Sequence, residues 1–242
     1  MDQQFYNRMA QIIGWDFSQL HVQSYGERWD FFQEVEKLVK RTDKVLDIGT
    51  GDGSKLASFA SDVEIIIGID DSTEMIKQAK KKNDFHNIQF HVMNSKTLDF
   101  PNQSFDIVSC RHAPFVASEV ERVLKPNGVF LTQQVSEGDK QNIVSIFQRG
   151  QHQCREKGHL LQRYMNQLTE AGFSNLYTDT YVATEYYQTA EDLLFLLQHT
   201  PIIPDFGQKK EDAQKFDRLV QDYQTTKGIQ TNSERFLIVA RK

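Results

Sequence analysis

The chain has 242 residues, 39% of them hydrophobic and 11% aromatic, which fits one large α/β domain with additions. It has no uninterrupted apolar run of about 18 residues, so no membrane-spanning helix is expected. A formal net charge of −5 argues against the broad basic face of a nucleic-acid binder, although a local patch is not excluded.

Two cysteines, Cys110 and Cys154, make neither a disulfide framework nor a zinc set, so no metal is expected. The opening Met1-Asp-Gln-Gln-Phe5 lacks the basic start and apolar core of a secretory signal. The expectation is a soluble cytoplasmic protein.

Residues 1–25 are polar with scattered aromatics (Phe5, Tyr6, Trp15, Phe17, Tyr25) and predict one or two short helices. From Trp29, the apolar Phe32, Val35, Leu38 and Val39 recur at helical spacing up to Lys40-Arg41, so residues 1–42 read as an N-terminal helical segment. A strand is predicted at 44–48, a helix at 53–60 and a second strand from Val63 to Asp70. Ser72 can cap a helix over 73–83, with Glu74 in its first turn favouring the helix dipole. The basic cluster Lys77 and Lys80–Lys82 on that helix reads as a solvated face.

Ile88–Met93 alternates as a third strand, and Phe105–Cys110 is a fourth. A helix over 116–124 leads through the turn Pro126-Asn-Gly128 to strand Val129–Val135. These strand–helix alternations imply a parallel sheet with helices on both faces, and residues 43–135 form its core. Beyond Val135 the pattern loosens. Leu160–Leu168 predicts a helix, 173–187 a long strand, and Thr189 with Asp192 a capping box before Leu193–Leu197. A further helix runs over Ala213–Tyr223, and Glu234–Ala240 is a closing strand. No internal repeat or low-complexity linker divides the chain, which reads as a single domain over 1–242.

The most informative stretch is Val45-Leu-Asp-Ile-Gly-Thr-Gly-Asp-Gly-Ser54. A buried-type strand breaks into Gly49, Gly51 and Gly53, and a helical pattern follows. Glycine permits a sharp turn and lets a ligand approach the main chain. A dinucleotide fingerprint would place its third glycine where Ser54 stands. Asp47 at the strand end and Asp52 in the loop would repel a pyrophosphate, which seeks helix-terminal N–H groups and positive potential. They suit a cationic, phosphate-free adenosine compound.

On these residues the chain resembles the class I S-adenosylmethionine-dependent methyltransferases, whose first motif is an acid followed by Gly-x-Gly-x-Gly. The resemblance covers about residues 29–135 and the final strand. It implies a Rossmann-like, doubly wound, mostly parallel seven-stranded sheet with the last strand antiparallel. Helical additions fall at the N-terminus and between the last two strands, where 188–228 becomes an expected substrate-cap insertion. It implies S-adenosyl-L-methionine as cofactor, held by Asp47 and by the loop Gly49, Thr50, Gly51 and Gly53.

Asp70, 21 residues after Gly49, would accept the ribose hydroxyls. Gly68-Ile-Asp-Asp-Ser72 matches the family's Gly-x-Asp-x-Ser, but Asp71 replaces the usual apolar residue under the adenine and leaves that packing to Met75. Asn94 stands where an acid commonly meets the adenine amino group, and Ser95 offers its N–H to the ring. A carbonyl at Cys110 or Arg111 would accept from the methionine ammonium. Preceding aromatics, Tyr25 and Trp29, are candidates to close over the site.

Methyl transfer from a sulfonium expels a neutral thioether, so alignment and water exclusion do most of the work. A general base is needed only for an acceptor that keeps its proton, and His112 is the candidate. The segment Ser109–Phe115 lacks the Asn/Asp-Pro-Pro-Tyr/Phe pattern of base-amine methylation, and without a Pro-Cys dipeptide Cys110 reads as a buried strand residue. A small-molecule acceptor is the leading expectation. An RNA or protein methyltransferase and a non-catalytic cofactor-binding module are the alternatives.

Overall fold

The computed structural model describes residues 17–150 and 156–242, so Phe5, Tyr6, Trp15 and Cys154 lie outside the described residues. The strands are β1 (Val22–Tyr25), β2 (Lys44–Ile48), β3 (Ile65–Asp70), β4 (Ile88–Val92), β5 (Phe105–Arg111), β6 (Leu124–Val135), β7 (Ser174–Tyr187), β8 (Gln224–Thr225) and β9 (Gly228–Arg241). They form one sheet in the order β1-β7-β9-β6-β5-β2-β3-β4, with β8 on β9. Strands β2 to β6 pair in parallel. The closing strand β9 is antiparallel to both β6 and β7. This is the Rossmann-like arrangement expected, with β1 and β8 added to seven strands.

The central strands are near-continuous apolar runs because both faces of the sheet are covered. One face packs Phe130, Phe236 and Ile238 against α3 (Ala117–Val123) and α5 (His159–Glu170). The other packs Val45, Ile66 and Leu131 against α1 (Phe31–Glu36), a 3-10 helix over Ser54–Asp62, and α2 (Thr73–Lys82). A third core joins Tyr187 and Ile229 to α4 (Gln141–Phe147), α6 (Ala190–His199) and α7 (Asp212–Tyr223).

Three local expectations change. The N-terminal segment contributes strand β1, because β7 runs 14 residues and the far end of its outer edge is left for another strand to pair. The helix after the glycine loop is 3-10 rather than α, starting from a left-handed Gly53 with no side-chain cap. The turn at Pro126–Gly128 lies inside β6, where Asn127 takes φ 64° and the β5 pairing slips between Phe105 and Ile107. The capping box at Thr189 and Asp192 is present, and Asp192 also accepts from the His21 N–H.

Candidate active site

A cleft of about 1120 Å3 opens at the carboxyl ends of β2, β3, β5 and β6. In open α/β sheets this is where ligands bind, because loops there are free to diverge. Asp47, Gly49, Thr50, Gly51, Asp70, Asp71, Met75, Ser95, Arg111 and His112 all line it.

The loop is shaped by backbone that only glycine adopts without strain. Gly49 has φ 74°, and a Cβ there would lie 2.2 Å from the Ala113 methyl. A Cβ on Gly51 would instead meet open space, so its backbone faces the cleft bare. Gly53 serves packing: it is buried against Phe90 and does not line the cleft.

Asp47 sits between Gly68 and Ser109 of the neighbouring strands and is 3% exposed. Its Oδ1 accepts the Ser109 hydroxyl at 2.6 Å. Burial pushes its carboxyl up to about 6, against the pull of the Ser109 hydroxyl. Asp70 accepts the Gly51 N–H at 3.0 Å and the Ser72 N–H at 2.9 Å, tying the end of β3 to the loop. Burial raises its pKa and those N–H groups restrain the rise. A carboxylate has about four lone-pair sites, so both oxygens keep room for a diol. Asp52, by contrast, pairs with Lys82 at 2.6 Å and accepts from Ser54.

Asn94 is exposed and outside the cleft lining; its Oδ1 caps the Lys96 N–H at 2.8 Å. Met93 lines the cleft beside it. Tyr25 is 52% exposed on edge strand β1 and packs on Tyr186. Trp29 packs on Tyr181 and donates Nε1–H to Gln133 Oε1 at 2.7 Å. Cys110 is fully buried, and burial pushes its thiol far up, which suits a packing residue.

His112 takes φ 55°, and its N–H donates to the Gln133 carbonyl at 2.8 Å. Its Nε2 lies 2.9 Å from Gln133 Nε2. Indole is a donor only, so Trp29 fixes Gln133 with its oxygen toward the ring and its NH2 toward His112. His112 Nε2 must then accept, leaving the proton on Nδ1. Burial, Arg235 and Arg111 all push this imidazole well below its ordinary pKa. It is neutral, and its one acceptor nitrogen is already occupied, so the expected general-base role would require breaking the Gln133 bond.

The far wall held no readable motif. It is made by the β7–β9 hairpin and the segment after β6: Lys140 pairs with Glu185, Tyr187 donates to Glu185 at 3.0 Å, and Arg235 pairs with Asp139. Burial raises the Glu185 carboxyl, but Lys140 more than offsets this and leaves it below its ordinary value. These residues come from segments up to about a hundred positions apart, so no sequence spacing announces them.

A parallel sheet with two acids and a bare glycine loop at its carboxyl edge, opening on a roomy cleft, defines a nucleoside-cofactor enzyme of the Rossmann-like class. The family described as "Methyltransferase domain" matches residues 39–222, and the chain belongs to it. Members of this class take S-adenosylmethionine as methyl donor.

The methyltransferase YcgJ of Bacillus subtilis is 38% identical over 98 residues, which are 36% of this chain and 39% of YcgJ. The ubiquinone/menaquinone biosynthesis C-methyltransferase UbiE of Rickettsia bellii is 34% identical over 135 residues, 49% of this chain and 53% of that one. These matches span about half or less of the curated relatives' length. Among solved structures, YcgJ superposes with a TM-score of 0.61 at 22% identity, covering 87% of this chain and 97% of YcgJ. A functionally unknown protein from Deinococcus radiodurans R1 gives 0.66 at 16% identity and 99% of both chains. No helix among the described residues is long and apolar enough to cross a membrane.

Proposed function

We propose that this chain transfers a methyl group from S-adenosylmethionine to a small-molecule acceptor. The observation that carries the reading is the pairing of a bare Gly51 backbone with Asp47 and Asp70 on a single cleft. That donor set fits the cofactor, with acceptors for an ammonium and a ribose diol. The cleft volume exceeds the roughly 300–1,000 Å3 of ordinary ligand pockets, which favours two ligands side by side. The named role of UbiE in quinone biosynthesis and the helices of 188–228 beside the cleft both favour a small acceptor under a cap. The proposal includes a cytoplasmic site of action.

When bound, S-adenosylmethionine supplies a methyl on a positively charged sulfur and departs as the neutral thioether. The chain's own contribution is alignment and exclusion of water. Asp70 holds the sugar edge while clamping the glycine loop. Asp47 sets a negative charge at the amino-acid end, and Met75 and Ser95 border the adenine. With His112 Nε2 occupied, no described imidazole nitrogen at the cleft's centre stands ready to take a proton, which favours an acceptor that is already a nucleophile.

The test is calorimetry of the purified protein with S-adenosylhomocysteine, expected to bind at micromolar concentration. Silence at millimolar concentration would end the reading. Labelled S-adenosylmethionine incubated with small metabolites and total RNA in parallel then identifies the acceptor class.

A further inference from the structure

Charges of both signs line the cleft. Asp52, Asp70 and Asp71 with Lys55 belong to the glycine loop and the end of β3. Asp47 and Arg111 share the floor near Ser109, and Lys140, Arg163 and Arg235 line the cleft with Asp139 and Glu185. Lys140 is taken by Glu185 and Arg235 by Asp139. No described residue forms an ion pair or hydrogen bond with the Arg111 guanidinium, which lies 6.0 Å from the Phe32 ring and within the field of Asp30 and Asp47.

Register places this free cation among others. Arg111 pairs with Gln133 on β6, and Gln133 with Leu237 on β9. Residues two apart on a strand share a face, so Arg235 stands on the same face as Leu237, Gln133 and Arg111. Arg111 is exposed toward the cleft; desolvation and Arg235 lower its pKa, against the pull of Asp30, Tyr181 and Asp47. His112 adds Nδ1–H, a donor with no partner among the described residues, because Gln133 holds its Nε2. A guanidinium with no fixed hydrogen-bond partner and a free N–H donor on one cleft form a ready donor set for an anion, which charge-assisted hydrogen bonds would hold.

We infer that the methyl acceptor carries an oxyanion, a carboxylate or phosphate, held between the Arg111 guanidinium and His112 Nδ1–H. The inference rests on the methyltransferase reading and narrows its substrate class. Leu196, Ile202 and Tyr164 on the same cleft give the anion an apolar body to accompany it. The acceptor is thus an amphipathic organic acid or phosphate ester.

The test titrates protein saturated with S-adenosylhomocysteine with benzoate, phenyl phosphate and the neutral isostere benzamide. At least one anion is expected to bind tenfold or more tighter than benzamide, and the preferred one tells carboxylate from phosphate. Arg111→Gln, which keeps the backbone carbonyl expected at the cofactor's ammonium, should erase that preference in protein that still binds S-adenosylhomocysteine and 5′-methylthioadenosine. His112→Asn, which tolerates the left-handed backbone, should weaken the same anion several-fold.

Anions that bind no better than benzamide to the wild-type protein overturn the inference without requiring any variant to fold, and leave the methyltransferase reading standing. Loss of S-adenosylhomocysteine but not 5′-methylthioadenosine binding in Arg111→Gln also overturns it, by assigning Arg111 to the cofactor's carboxylate. Failure of S-adenosylhomocysteine to bind the wild type is separately visible and rejects the parent reading.

Discussion

Ser109 on β5 donates its hydroxyl to the Asp47 carboxylate on β2 at 2.6 Å, across two parallel strands at the floor of the cleft. The bond keeps Asp47 oriented, yet burial still lifts its carboxyl to about 6. A proton therefore competes with any cation at this site. Affinity for S-adenosylmethionine is expected to fall as pH drops through about 6, and Asp47→Asn should flatten that dependence. Calorimetry between pH 5 and 8 checks it; a level profile in wild type would show that Asp47 does not meet the cofactor's charge.

The same shift has a stability sign. The folded pKa lies above the ordinary 3.8, so folding is favoured in acid and that advantage is lost as pH rises through 6. Above it the buried charge costs up to about 3 kcal/mol, from two pKa units at about 1.4 kcal/mol each. Asp47→Asn keeps an acceptor for Ser109 and sheds the charge. The unliganded variant should melt higher at pH 7.5 than wild type while binding the cofactor more weakly.

Asp70 clamps the glycine loop and, in the proposed cofactor complex, accepts the ribose diol, two roles that its variants can separate. Asp70→Ala should weaken S-adenosylhomocysteine binding by about 1.5–3 kcal/mol, the scale of a lost hydrogen bond to a charged group. It also removes the acceptor of the Gly51 and Ser72 N–H groups, so a lower melting temperature should accompany it. Unchanged affinity in the titration would place the ribose elsewhere.

The Trp29–Gln133–His112 chain fixes a tautomer, and nitrogen NMR reads it directly. His112 should appear as the neutral Nδ1–H form and stay so where ordinary histidines titrate. Trp29→Phe frees the Gln133 oxygen from its donor, allows the amide to turn, and should admit the Nε2–H form. A wild-type ring protonated on Nε2 would contradict the chain.

Arg149 holds Asp212 through two 2.8 Å bonds from Nη2, joining the end of α4 to the start of α7. Both side chains are largely buried, at 12% and 3% exposure. Asp212→Ala strands a buried guanidinium and should cost about 3–5 kcal/mol in urea denaturation. A loss below 1 kcal/mol would mean that the pair contributes little to holding the insertion.

Much of the cofactor half was legible because its chemistry is local. Val45–Ser54 is strand, turn and helix start in ten residues, and the backbone freedom of Gly49 and Gly51 belongs to those residues wherever they stand. Asp70 follows from a second strand of similar length laid in parallel register beside the first. Asn94 stands outside the cleft lining, because a turn residue's amide satisfies the nearest backbone N–H, here that of Lys96.

The wall opposite the glycine loop is a different kind of object. Whether an arginine is free or paired depends on which carboxylate the fold brings near: Asp139 reaches Arg235, Glu185 reaches Lys140, and none reaches Arg111. The sequence by itself determined the sheet, the glycine loop and the charge that awaits a cofactor. Only the tertiary structure decided the state of His112, the wall built by β7 and β9, and the arginine left without an ion pair in the cleft. Periodicity and turn chemistry act between neighbours in the chain, whereas charge compensation acts through space.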